Sequence, residues 1–275
     1  MKILYQGSPG AYSNLAALKV CPDAEIISCK TFDECFIKAT EDEKIRIIIP
    51  ESNRITGNIG VEYLIFKYRL NIYAEHFHPI QHNLLALPGS KINDIKYVFS
   101  HAQALSQSSN FIKKYKLIEN VRADTAGSAK YISENKKKNE AAIASNLSAK
   151  IYNLDILESN IEDEKGNVTR FLIMGKSTIQ PELKKKKYIT SFLFKLKDKP
   201  AALYSALSGF AIQGVNLTKL QSYPKKNSFT SYFFLCDLDG HIEEPKVKKS
   251  LEELGFHCED FHVLGVFEAD KFREK

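Results

Sequence analysis

Over the first half of the chain, short apolar runs alternate with segments whose apolar residues recur at helical spacing. Lys2–Gln6, Glu25–Cys29 and Ile45–Ile49 read as strands, the last with the aliphatic character of a strand inside a parallel sheet. Ser13–Val20 reads as a helix with Ser13 as its N-cap. Thr31–Thr40 reads as a helix capped by Thr31, with Phe32, Cys35, Phe36 and Ala39 along one face. This βαβαβ order predicts an α/β domain with right-handed crossovers. A second block follows, with strands at Tyr97–Ser100, Val121–Ala123 and Ala141–Ala144 and helices at Ala102–Lys114 and Ala126–Ser133. Ile72–Leu87 reads as extended chain crossing between two lobes, and Ile156–Met174 as the return. The prediction is a domain over 1–176, one lobe at about 1–75 and 155–176 and the other at about 76–154. A ligand cleft belongs between such lobes.

Residues 177–187 are polar and Lys-rich and read as a linker. From 188 to 270 a different pattern takes over. Tyr188–Leu196 is a strand, and Pro200 and Gly214 bracket a helix with Leu203, Leu207, Phe210 and Ala211 as its apolar stripe. Val215–Ser222 and Ser228–Cys236 form a hairpin around Pro224-Lys225-Lys226-Asn227. A second helix runs from Pro245 to Gly255, and Phe261–Phe267 closes the sheet. The order is βαββαβ, the ferredoxin-like arrangement.

At 275 residues the chain is long enough for two domains, and its 44% hydrophobic share is ordinary for a globular protein. No apolar stretch approaches the roughly 20 residues that span a bilayer. The N-terminus is too short in apolar residues for a signal peptide. The five cysteines are scattered, with no C-x-x-C pair, so neither a disulfide framework nor a zinc site is indicated. A cytoplasmic location is the expectation. The net charge of +6 comes largely from Lys runs at 136–138 and 184–187. These read as solvated surface, and no nucleic-acid module accompanies them. A mildly positive field favours an anionic substrate.

The candidate chemistry sits at junctions between elements. Gly166-Asn167-Val168-Thr169-Arg170-Phe171 puts an amide, a hydroxyl and a guanidinium at the head of a buried strand, where an Arg needs an anion or carboxylate partner. Gly7-Ser8-Pro9-Gly10-Ala11-Tyr12-Ser13 joins the first strand to the first helix, whose N-terminus suits an anion. Ser100-His101-Ala102-Gln103 and Asp124-Thr125-Ala126-Gly127 are similar strand-to-helix junctions, with Ser100 and Asp124 or Thr125 as natural caps. Three helix N-termini around one cleft would receive a dicarboxylate. His76, His78 and His82 alternate along one strand, which superficially suggests a metal; packed strand histidines fit the surroundings better.

These segments resemble, in order, the motifs of prephenate dehydratases with a C-terminal ACT regulatory domain. Asn167-Val168-Thr169-Arg170-Phe171 is similar to the family's Asn-x-Thr-Arg-Phe, and the Gly7–Ser13 loop to its Gly-x-x-Gly-x-(Tyr/Phe)-Ser. The resemblance implies a two-lobed α/β catalytic domain like a type II periplasmic binding protein, followed by a ferredoxin-like ACT domain. It implies decarboxylative dehydration of prephenate to phenylpyruvate in phenylalanine biosynthesis, without cofactor or metal. It assigns the leaving hydroxyl to Thr169, with Arg170 holding a carboxylate or supporting the site from behind. Neighbours on a regular strand face opposite ways, so both reach one ligand only if the backbone is irregular. Ser13, Asn53, Ser100, Thr125, Asn167 and Phe171 are the expected substrate-binding residues. Pro50, Asn53 and Gly57 match the family's Pro-Ile-Glu-Asn-Ser-x-x-Gly, but Ser52 and Arg54 depart from it, with Glu51 as the nearest carboxylate. Ala202, Leu203, Gln221 and Ser222 fall on the effector-binding motifs, altered at Ala201, Gln221 and Tyr223. The expected partners are prephenate, L-phenylalanine as effector, and a second copy of the chain in a homodimer or homotetramer. An arogenate dehydratase shares every motif. An inactive two-lobed sensor is the reading from a different class.

Overall fold

The computed structural model describes residues 1–224 and 231–274. Its elements in chain order are β1 (Lys2–Gln6), α1 (Tyr12–Val20), β2 (Glu25–Cys29), α2 (Phe32–Glu41), β3 (Ile45–Asn53), β4 (Gly57–Asn58), α3 (Glu62–Tyr68), β5 (Asn71–Pro79), β6 (Asn83–Ala86), β7 (Tyr97–Ser100), α4 (Ala102–Ser106), α5 (Ser109–Lys114), β8 (Ile118–Val121), α6 (Thr125–Asn135), β9 (Glu140–Ala144), α7 (Asn146–Tyr152), β10 (Asp155–Ser159), β11 (Val168–Gly175), β12 (Tyr188–Leu196), α8 (Ala202–Ile212), β13 (Leu217–Pro224), β14 (Tyr232–Asp239), α9 (Pro245–His257) and β15 (Cys258–Glu268). They form three sheets. The first has the order β2-β1-β3-β11-β5, with β4 returning on β3. The second is β10-β6-β9-β7-β8, and the third β13-β14-β12-β15.

Alternation along the strands of the second sheet explains why helices cover both its faces. Leu84, Ala86, Val98, Ala141 and Ile143 point into one apolar cluster. Leu85, Phe99, Ala142 and Ala144 point into another. In the third sheet β12 pairs antiparallel with both β14 and β15, and α8 and α9 cover one face. Phe192, Phe194, Phe210, Leu251 and Leu254 make that core.

Several elements differ from expectation, each for a local reason. Helix α1 begins at Tyr12 with Ala11 in the cap position, so Ser13 lies buried inside the first turn and does not cap it. The turn is closed instead by Asn14, whose Oδ1 accepts the Gly10 N–H at 3.0 Å. The expected helix 102–114 is broken at Gln107–Ser108. Asp163 from the loop before β11 accepts the Asn110 N–H at 3.0 Å and the Ser109 hydroxyl at 3.1 Å, starting a new helix there. Strand β8 lies at 118–121, in register with β7, because Asp124 is taken as the N-cap of α6. Asp155–Ser159 pairs with β6 in the second sheet, so the chain returns to the first sheet only at Val168. Thr31 does cap α2, accepting the Glu34 N–H at 3.1 Å. Helix α9 runs through Gly255 to His257. The turn expected around 224–227 lies, from residue 225 on, outside the described residues.

By its contacts the chain groups into two units, Met1–Cys35, Ile48–Ile59 and Phe77–Phe171 in one, and Phe36–Ile47, Gly60–His76 and Leu172–Lys275 in the other. Among the described residues no helix is long and apolar enough to cross a membrane.

Candidate active site

Strands β3 and β11 are neighbours in the first sheet, and the Arg54 N–H donates to the Val168 carbonyl at 2.9 Å just beyond the end of β3. Strand alternation then places Thr169 and Phe171 on one face of β11 and Arg170 on the other. Thr169 and Phe171 line a cavity of about 420 Å³. Arg170 does not line it: its Nη1 lies 3.5 Å from Glu51 Oε2, and both side chains are buried. The structure therefore places Arg170 behind the strand on Glu51 and not at the cavity, where a direct substrate contact was expected. Glu51 in turn accepts the Ser52 hydroxyl at 2.8 Å. Arg54 is exposed and its guanidinium passes Gly166, away from the cavity. The altered 50–57 loop thus keeps a carboxylate behind the strand and adds no charge to the cavity wall.

Part of the rest of the wall comes from helix starts. Ala11, Tyr12 and Ser13 of α1, Gln103 and Ala104 of α4, and Asp124 and Thr125 of α6 all line the cavity. First-turn N–H groups have no intrahelical acceptor and carry partial positive charge. No Lys or Arg lines the cavity among the described residues. Asp124 is engaged, accepting the Gly127 N–H and, at 3.2 Å, the Ser8 hydroxyl. Ser100 does not reach the cavity. It is fully buried and donates to the Ile143 carbonyl at 2.6 Å, while His101 caps α4. The Gly7–Gly10 loop follows a positive-φ path at both glycines, and a side chain on Gly10 would meet Ser148. Ser145 and Ser148 both donate to the Gly10 carbonyl, at 2.6 and 3.0 Å, so Gly10 serves packing on α7.

A run of polar side chains connects the two walls. Asn53 Oδ1 accepts the N–H groups of Ile55 and Thr56 at 3.0 and 3.1 Å. Its Nδ2 donates to Asn167 Oδ1 at 2.7 Å and to Thr169 Oγ1 at 2.9 Å. The Thr169 oxygen is thereby an acceptor, which leaves its own hydrogen to be donated elsewhere. Asn167 does not line the cavity itself; its Nδ2 donates to Gln107 Oε1 at 3.1 Å. Gln107 also contacts His82 Nε2 at 2.9 Å, and His82 Nδ1 lies 2.8 Å from the Tyr12 hydroxyl. Tyr12, Gln103 and Gln107 were not among the site residues expected from the sequence. Gln107 was hidden by the assumption of one unbroken helix. His82 was noted among three alternating histidines and not given a site role; the three do not converge: His76 lies 3.8 Å from Asp270, and His78 meets the Phe171 ring edge-on.

In the third sheet's unit, Ala202 and Leu203 open α8, and Gln221 and Ser222 lie on β13. Gln221 Nε2 donates to Glu62 Oε1 at 3.1 Å, and the Tyr223 ring packs on Phe66 at 5.5 Å.

A cavity of mixed polar and apolar lining, walled in part by helix starts on two α/β sheets, defines a small-molecule enzyme or binding protein of mixed α/β fold. Comparison with known proteins narrows this, and the chain belongs to the prephenate dehydratase family: that family's model matches residues 3–179. A bifunctional N-acyl-homoserine lactone acylase/prephenate dehydratase of Komagataeibacter europaeus is 37% identical over 99% of this chain and 98% of that protein. Arogenate dehydratase 2 of Petunia hybrida is 36% identical over 98% of this chain and 72% of its own length. Among solved structures, the prephenate dehydratase of Arthrobacter aurescens in complex with L-Phe matches with a TM-score of 0.90 at 27% identity, over 98% of this chain and 90% of that one.

Proposed function

We propose that this protein is a hydro-lyase that converts prephenate to phenylpyruvate, carbon dioxide and water in the 420 Å³ cavity. The observation that carries the reading is the hydrogen bond from Asn53 Nδ2 into Thr169 Oγ1, because it makes the oxygen of a cavity-lining hydroxyl an acceptor and leaves its hydrogen to be donated to a ligand. In the reaction the ring carboxylate leaves as carbon dioxide, its electron pair enters the ring, and the ring C–O bond breaks. The departing hydroxyl takes one proton, drawn from solvent, to leave as water. Thr169 is a poor Brønsted acid, so its role is hydrogen-bond donation to that hydroxyl, strongest as charge develops there. Helix starts α1 and α6, with Ser13 and Thr125, hold the carboxylates, and Phe171 packs against the ring. Asn167 and Gln107 hold Asn53 in place.

We further propose that 188–270 is an ACT regulatory domain, supported by its βαββαβ order and by the L-Phe in the Arthrobacter aurescens structure. Ala202, Leu203, Gln221 and Ser222 are its effector residues, L-phenylalanine the effector, and a cytoplasmic homodimer or homotetramer the working form. The test is formation of phenylpyruvate from prephenate by the purified protein, with and without phenylalanine. No product would remove the dehydratase reading; product unaffected by phenylalanine would remove the regulatory one.

A further inference from the structure

The amide run at the cavity wall has a fixed polarity, and that polarity reaches His82. Two backbone N–H groups fix the Asn53 oxygen, so its nitrogen must face Asn167 Oδ1. Asn167 Nδ2 must then face Gln107 Oε1. Orientations assigned by such a network are determined by its anchored end. An oxygen at 2.9 Å from His82 Nε2 accepts, so Nε2 carries a hydrogen. The other ring nitrogen, Nδ1, is 2.8 Å from the Tyr12 oxygen, which is itself 2.7 Å from the Gln81 carbonyl. One phenolic hydrogen serves only one of these neighbours. With His82 neutral it goes to Nδ1, and the Tyr12 and Gln81 oxygens face each other with nothing between. With His82 protonated at both nitrogens, Nδ1 donates to Tyr12, Tyr12 donates to Gln81, and every contact holds one hydrogen.

Burial opposes that charged form and pushes the His82 pKa down, while the Gln107 oxygen and Glu162 push it up. The titratable groups around the ring are Tyr12 from α1, held well above its ordinary range by burial, and Glu162, whose Oε2 accepts the His82 backbone N–H at 2.9 Å. His101 and Asp124 line the same cavity from α4 and α6. His101 Nδ1 accepts the Gln103 N–H. Since no Lys or Arg lines the cavity among the described residues, a positive charge on the wall has to come from a histidine, and His82 is the one whose hydrogen bonds leave a place for a second ring hydrogen.

We propose that His82 is the switchable cation of the substrate site: it rests as the neutral Nε2–H tautomer and takes up a proton at Nδ1 when a carboxylate-bearing ligand enters. The identity of that ligand, prephenate, rests on the dehydratase reading. The sign follows from linkage. Binding that takes up a proton is strongest below the pKa of the free state and weakens, by up to about tenfold per pH unit, until pH has risen through the pKa of the bound state.

The test is calorimetric titration of prephenate into Thr169→Ala, which cannot turn it over efficiently, in buffers of different ionisation enthalpy. Uptake approaching one proton per ligand is expected near neutral pH. His82→Gln in the same background keeps a donor for Gln107 but not the charge. It should bind several-fold more weakly, with no proton uptake and little pH dependence. In the otherwise unaltered enzyme His82→Gln should raise KM more than it lowers kcat. Nitrogen NMR of the imidazoles, in protein that retains His82, covers the case in which that variant does not fold. Signals of two protonated ring nitrogens in the complex support the proposal. Binding without proton uptake, or a neutral Nδ1–H tautomer in the free protein, overturns it. If the wild type makes no phenylpyruvate, the dehydratase reading fails separately. The free-protein tautomer, read without substrate, then decides the claim about His82.

Discussion

At the scale of single residues, Thr169 and Arg170 separate cleanly although they are adjacent. Thr169 faces the cavity with its hydrogen free to be donated, whereas Arg170 faces Glu51 behind the strand. Thr169→Ala is expected to lower kcat on prephenate by roughly 10²-fold, the scale of losing one aimed donor. Circular dichroism and melting temperature should stay near wild type, and turnover within a few-fold of wild type would remove Thr169 from the mechanism. Arg170→Ala leaves Glu51 buried without this partner, so a loss of about 3–5 kcal/mol is expected in urea denaturation. Per folded molecule its kcat should hold within a few-fold. A large kcat loss at undiminished stability would instead return Arg170 to the substrate. The sequence showed that this pair is unusual, and strand alternation raised the conflict. Only the position of Glu51 resolves it.

At the scale of elements, the break between α4 and α5 shapes the site more than either helix does. It brings Gln107 to the amide run and takes its helix cap from Asp163, 53 residues away from Asn110. The start of α8 shows the opposite situation, a local cost left in place. Ala201 sits at φ +57, a left-handed conformation that a glycine would adopt freely. Ala201→Gly is therefore expected to raise stability by about 1 kcal/mol, read as a shift of the urea midpoint at unchanged slope. An unchanged or lower midpoint would mean that the added flexibility of the unfolded chain cancels the relief.

At the scale of the whole molecule, the two contact units do not coincide with a cut after residue 176. Residues 60–76 group with 172–275. Within that unit Arg273 grips Glu75 with two hydrogen bonds, at 2.6 and 2.9 Å, and Arg69 pairs with Asp260. Phe66 packs on Tyr223 and Phe233, and Gly265 lies against the Ile72 backbone so closely that a Cβ would overlap it. A fragment of residues 1–176 strips these partners away and leaves the Glu75 carboxylate without its arginine. It is expected to be destabilised by several kcal/mol relative to the full chain and to aggregate. A monomeric fragment with full-length melting temperature and wild-type kcat would show that 60–76 stands without the C-terminal unit.

The sequence by itself determined the type and order of most elements, though not α3 or α7, and the polar motif that names the family. Those properties are encoded locally, in the period of apolar positions and in cap and turn residues such as Thr31, Asp124 and Gly214. What only the tertiary structure decided depends on partners distant in the chain. Asp155–Ser159 joined the second sheet because β6 offered it an edge, which no periodicity records. Ser100 was buried against Ile143 and not aimed at the ligand. The hydrogen of Thr169 and the ring of His82 were oriented by a run of amides drawn from β3, β11 and the α4–α5 break. A hydrogen bond has direction, and its direction is settled only when both of its ends, here up to 116 residues apart, are brought within 3 Å.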